Sequence, residues 1–182
     1  MSALSRTRTL PAVVIGFVLA AAVLLLPATP AHASVLDVTC TGGETATYNP
    51  ALTSTPQTVT TTRVISYSPC VSTDPAVTSG ARNLTYTAPG FSCVDLLGSG
   101  TISATITWNT GQTSTVTGNR VSTVVGATTV TVITGTVTAG LFTGDTVVQT
   151  QIGAATPILT CNLGLGTVSG LTSTIVLEIS ST

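Results

Sequence analysis

Thr101-Ile-Ser-Ala-Thr-Ile-Thr-Trp108, then Asn109-Thr-Gly111, then Gln112-Thr-Ser-Thr-Val-Thr117, is the stretch on which the reading of this chain turns. Ile102, Ala104, Ile106 and Trp108 share one parity, and Thr101, Ser103, Thr105 and Thr107 share the other. Period two is the mark of a strand with one buried face and one wet face. Asn109 to Gly111 closes on a residue that accepts positive φ, so the spacing predicts a hairpin. Ile102, Ile106 and Trp108 are the expected core residues, with Trp108 at the centre.

The same alternation extends outward from this unit. Val59 shares parity with Arg63, Ile65 and Tyr67; Leu84 shares it with Tyr86; Ile175, Leu177 and Ile179 form a third set. Asp74-Pro75 and Ser79-Gly80 carry turn chemistry, placing a loop over 72–80. Thr41-Gly42-Gly43, Gly118-Asn119 and Gly126-Ala127 read as further turns. A strand is expected over Ile158 to Cys161, and a β-bulge near Ile133 to Gly135, where apolar parity switches. Thr134, Thr136 and Thr138 read as the wet face of a sheet rather than as an ice-binding array. Short strands at regular spacing with Gly and Pro turns point to an all-β fold, expected here as a Greek-key two-sheet sandwich of Ig-like type.

The first 33 residues belong to a different category. Arg6 and Arg8 precede an apolar run from Ala12 to Leu26, and Ala31-His32-Ala33 is a small-x-small site. This pattern predicts a signal-peptide helix over 1–33, cleaved between Ala33 and Ser34, and a secreted domain over 34–182. The expected product is extracellular and keeps no membrane anchor. Four cysteines in an exported chain imply two disulfides. Of the three pairings of Cys40, Cys70, Cys93 and Cys161, Cys40–Cys70 with Cys93–Cys161 is preferred, and the nested Cys40–Cys161 with Cys70–Cys93 stands next.

Removing the leader also removes chemistry. Lys is absent from the sequence, and the sole histidine, His32, lies before the cleavage site. Arg63, Arg82 and Arg120 remain as scattered bases against six acids, so a nucleic-acid partner is not expected. Imidazole-dependent triads and dyads, Ser-Lys dyads and zincin chemistry all lack a required group. The acids Asp37, Glu44, Asp74, Asp95, Asp145 and Glu178 leave two-carboxylate glycosidase chemistry formally possible. No catalytic residue, metal ligand or cofactor is assigned.

Three fragments resemble a group of small secreted actinobacterial four-cysteine proteins. They are Cys40-Thr41-Gly42 with Tyr48-x-Pro50-x-Leu52; Trp108-x-x-Gly111-x-x-Ser114; and Thr134-Gly135-x-Val137-Thr138-x-Gly140-x-Phe142-x-Gly144-Asp145-Thr146. The resemblance implies an Ig-like exported domain and assigns it no activity. With the catalytic chemistry missing, the expected function is contact with an unidentified extracellular or cell-surface partner. Self-association into a structural or adhesive coat is the first alternative, and hydrolase or hydrolase inhibitor the second.

Overall fold

In the computed structural model, residues 35–181 are described. The segment read as a signal peptide, with its Ala33–Ser34 cleavage site and His32, lies outside the described residues. Eight antiparallel strands follow one another as neighbours and close on themselves: β1 (Val35–Leu52), β2 (Gln57–Ser72), β3 (Gly80–Phe91), β4 (Gly98–Trp108), β5 (Thr113–Val125), β6 (Thr128–Gly140), β7 (Thr146–Ala154) and β8 (Val168–Ser181). A 3-10 turn, Cys93–Leu96, joins β3 to β4, and a short helix, α1 (Thr156–Asn162), joins β7 to β8.

This is a single closed up-and-down barrel, and it overturns the two-sheet Greek-key sandwich expected from the strand spacing. The decisive pairing is β1 with β8, which runs from Val35↔Ser181 through Thr47↔Gly170 and leaves neither strand as an edge. Alternation distinguishes a wet face from a dry one in either architecture, so it does not choose between them. Two glycine sites account for the misreading. Gly42 and Gly118 are not turns but mid-strand positions, paired with Tyr67 and with Gly135. A Cβ at Gly42 would lie 2.0 Å from the Ser66 carbonyl oxygen, and one at Gly118 would lie 2.1 Å from that of Thr134. Glycine there permits close approach of neighbouring backbones where a barrel wall bends.

Other local expectations divide. The hairpins at 109–111 and 126–127 form, as does the loop before β3. Ile106 and Trp108 are buried, and Ile102 is half-buried on the same inward face. The predicted strand over Ile158 to Cys161 is instead α1, with Pro157 in its first turn, a position where a missing N–H costs nothing. The irregularity predicted near Ile133 to Gly135 falls later: the β5–β6 register shifts where Thr115↔Ala139 gives way to Val116↔Val137.

The barrel interior has two apolar plugs. At one end Trp108, Tyr67, Ile65, Leu177 and Ile179 pack together beside the Cys40–Cys70 bridge. Trp108 is not sandwiched between sheets; its ring meets Phe142 edge-on at 5.9 Å, and its Nε1–H donates to Ser114 Oγ at 2.8 Å. At the other end Leu52, Val59, Val168 and Tyr48 pack beside Cys93–Cys161, which fastens α1 to the 3-10 turn. The Cys93 N–H donates to Thr53 O, and the Ala155 N–H to Ala127 O, tying this cap to the neighbouring turns. Two disulfides are the mark of a chain that matures in an oxidising compartment.

Candidate functional site

Between the two plugs lies a polar waist around a cavity of about 350 Å³. Its walls come from inward positions that strand parity dictates. Glu44, Ala46 and Tyr48 alternate along β1, Thr61 and Arg63 along β2, Arg82 and Leu84 along β3, and Arg120 and Ser122 along β5. Ile158 of α1 and Leu96 of the 3-10 turn line the capped end. The three arginines read as scattered in the sequence thus converge on one space.

The cavity opens where β3 and β4 part. These strands pair only at Gly80↔Trp108 and Ala81↔Thr107, whereas every other junction carries a ladder several residues long. Gly80 makes this clasp possible, because a Cβ there would lie 2.8 Å from the Trp108 ring. Beyond it, Thr101, Ile102 and Ser103 all line the cavity although successive residues of a strand face opposite ways. Leu171, Thr172 and Ser173 of the paired strand β8 do the same, so it is the missing β3–β4 ladder that leaves β4 an open edge here. Tyr86 stands opposite on β3, 39% exposed, at the mouth.

The polar groups inside are unevenly satisfied. Glu44 is 6% exposed; its carboxylate accepts from Arg63 Nε and from Gln151 Nε2 at 2.9 Å. Burial works against the Arg63 charge, but Glu44 outweighs it and raises the guanidinium's pKa. Arg82 has no hydrogen bond or acidic partner among the described residues, and Arg120 has only a 3.5 Å approach to Leu96 O. Burial, and then the nearby Arg63 charge, push Arg120 below its ordinary value. Arg82 is lowered mainly by burial, with Arg63 acting in the same direction. Thr61 Oγ1, buried in the cavity wall, has no hydrogen-bond partner, and neither does Gln149 Nε2 nearby in the core. Burial pushes the Tyr48 phenol up to about 12 against the pull of Arg63, so it stays a proton donor.

Three other acids serve local structure, Asp95 among them in the chamber wall. Asp74 Oδ1 accepts from the Ala76 N–H, and Asp95 Oδ2 accepts from the backbone and hydroxyl of Ser92. Asp37 Oδ2 accepts from the Ser181 N–H at 2.8 Å, where the barrel closes. Among the described residues no three His, Cys, Asp or Glu side chains gather as a metal site. None of the waist side chains stands out in the sequence as a functional residue. The signal that marks them is parity, since Arg63 is in phase with Val59 and Ile65.

The fold and cavity define a class, an up-and-down β-barrel with a side-opening polar chamber. No family model, curated protein or solved structure matches the chain.

Proposed function

We propose that this protein is a non-catalytic binding barrel that works outside the cell and holds an anionic ligand, bearing a carboxylate or phosphate group, in its waist. One observation carries the reading: Arg82 and Arg120 are brought into a partly buried chamber whose two carboxylates, Glu44 and Asp95, are engaged elsewhere, so that neither arginine has an ion-pair partner among the described residues. An uncompensated buried charge is costly, and guanidinium is the group best shaped to grip carboxylate or phosphate through two parallel hydrogen bonds. The volume falls at the lower end of the roughly 300–1,000 Å³ usual for small-ligand sites.

Binding rather than catalysis is supported by how the carboxylates are used. Glu44 is committed to Arg63 and Gln151, and Asp95 to Ser92, so neither carboxylate lining the chamber is free to act as a base. Nucleic acid fits poorly, because all three arginines of the described barrel point inward.

Self-association rests on the outward cluster of Val121, Val130, Val132, Val148, Ile152 and Val176, which the β5–β8 register brings together. Three strand spacings by four residues make that patch about 14 × 14 Å, on the order of 200 Å². A stable partner face needs roughly 800 Å², and monomers commonly expose patches of a few hundred. The anion-binding reading is therefore preferred.

Thermal denaturation with acetate, benzoate, phosphate and sulfate tests it, using chloride at matched ionic strength as the reference. At least one anion should raise the midpoint, and Arg82→Gln or Arg120→Gln should weaken its binding about tenfold or more. Midpoints that follow ionic strength alone for every anion would reject the reading.

A further inference from the structure

Resting on that reading, the geometry points to a specific ligand class: the carboxyl-terminal end of an extended peptide, lying in the β3–β4 opening with its terminal carboxylate on Arg82 and Arg120. The chamber is too small for more than a compact molecule or the end of a larger one. What flanks its mouth separates these two cases.

Past Ala81, β3 has backbone pairing to β2 on one side and none to β4 on the other. Up to Ile106, β4 is paired to β5 and is likewise open toward β3. The free edge of β4 over 98–106 is about 26 Å long at the rise of a strand. Two facing rows of unpaired N–H and C=O groups form a template for an added strand, the means by which sheet edges commonly recognise extended peptides. A compact organic anion would use the arginines and leave both edges to water. A peptide end uses both features, because its backbone matches the edges and its single terminal charge matches the guanidinium groups.

Side-chain preference follows from the lining. The last residue of such a peptide would enter among Leu84, Ile102, Phe91, Leu96 and Ile158, so an apolar terminal side chain suits it. Tyr86, exposed at the mouth, is placed to pack against the residues before it.

The test uses fluorescein-labelled hexapeptides ending in leucine, with a free carboxylate or an amide, alongside acetyl-leucine as the isolated terminus. The free-acid peptide should bind at least tenfold tighter than the amide and tighter than acetyl-leucine. Arg82→Gln should erase the preference for the free acid; Arg120→Gln is the second variant if the first fails to fold. Hydrogen exchange should slow at 82–91 and 98–106 on peptide binding. Equal binding of acid and amide, or acetyl-leucine matching the peptide without protection of these edges, overturns the peptide inference while the anion-binding reading stands. Failure of every carboxylate together with phosphate and sulfate removes both. A dimer in sedimentation whose formation protects the same edges would make a second copy the occupant and also overturn the inference.

Discussion

Glu44 and Arg63 form an ion pair inside the barrel, diagonally across the β1–β2 ladder, and Arg82 and Arg120 are left without an ion-pair partner among the described residues. Glu44 is the more enclosed partner, its side chain 5% exposed against 26% for Arg63. Removing one member of a buried pair strands the other, at about 3–5 kcal/mol for full burial. Glu44→Gln should therefore cost about 3 kcal/mol, read as a lower urea midpoint. Sulfate should recover more stability in this variant than in the parent, since the chamber then holds three unmatched guanidinium groups. An unchanged midpoint would mean that Glu44 contributes no net stability to the waist.

Trp108 depends on a relay at the opposite end. Its indole donates to Ser114 Oγ, which donates onward to Leu141 O at 2.6 Å. Trp108→Ala should cost about 3–5 kcal/mol through the cavity it leaves. Ser114→Ala keeps the ring but strips its buried N–H of a partner, an expected loss of about 1–3 kcal/mol. Denaturation midpoints of the two variants check both values, and near-UV circular dichroism should show the ring environment disturbed in Ser114→Ala.

The two disulfides occupy different ends and should separate in their effects. Cys40–Cys70 spans 30 residues and Cys93–Cys161 spans 68. Loop-closure entropy assigns them about 3.6 and 4.4 kcal/mol respectively. Both double alanine variants should be strongly destabilised. Loss of Cys93–Cys161 should additionally weaken anion binding, because α1 and the 3-10 turn form the capped end of the chamber. Calorimetric titration of the two variants below their unfolding temperatures distinguishes the roles; equal affinity in both would detach the cap from binding.

Asp145 supplies a pH-dependent prediction. Burial, then the neighbouring Asp37 charge and a hydrogen bond to it, raise the Asp145 pKa above its ordinary value of 3.8. A carboxyl whose pKa is higher folded than unfolded binds its proton more tightly when folded. Its ionisation therefore costs stability as pH rises through that window, and the full cost persists at neutral pH. Asp145→Asn should be more stable than the parent at pH 7, with the advantage shrinking as pH falls through the raised folded pKa and gone below the ordinary value of 3.8. Urea midpoints measured from pH 3 to 7 read this directly; a constant difference would assign the effect to something other than titration.

Much of the local structure was legible before any pairing was known. The inward set Ile102, Ala104, Ile106 and Trp108 follows from period two, as does the placement of Arg63 beside Ile65 and Tyr67. Helix α1 was not legible: Thr156 to Asn162 is a single short helical segment, too brief to display a period. The glycines misled for a physical reason. In one dimension a glycine that turns the chain and a glycine that lets two backbones meet look alike, and Gly42 and Gly118 are of the second kind.

The sequence alone determined which side of each strand would avoid water, where the tight hairpins fall, and that four cysteines were available for two bridges. Tertiary structure decided that β1 would pair with β8, closing one wall in place of two layers, and that β3 would leave β4 after two residues. Those outcomes depend on hydrogen-bond partners far apart in the chain, which alternation does not encode. The same closure turns three separated arginines into neighbours. Their meaning lies in that proximity, since a guanidinium on an open surface is solvated, whereas one in an enclosed waist needs an anion.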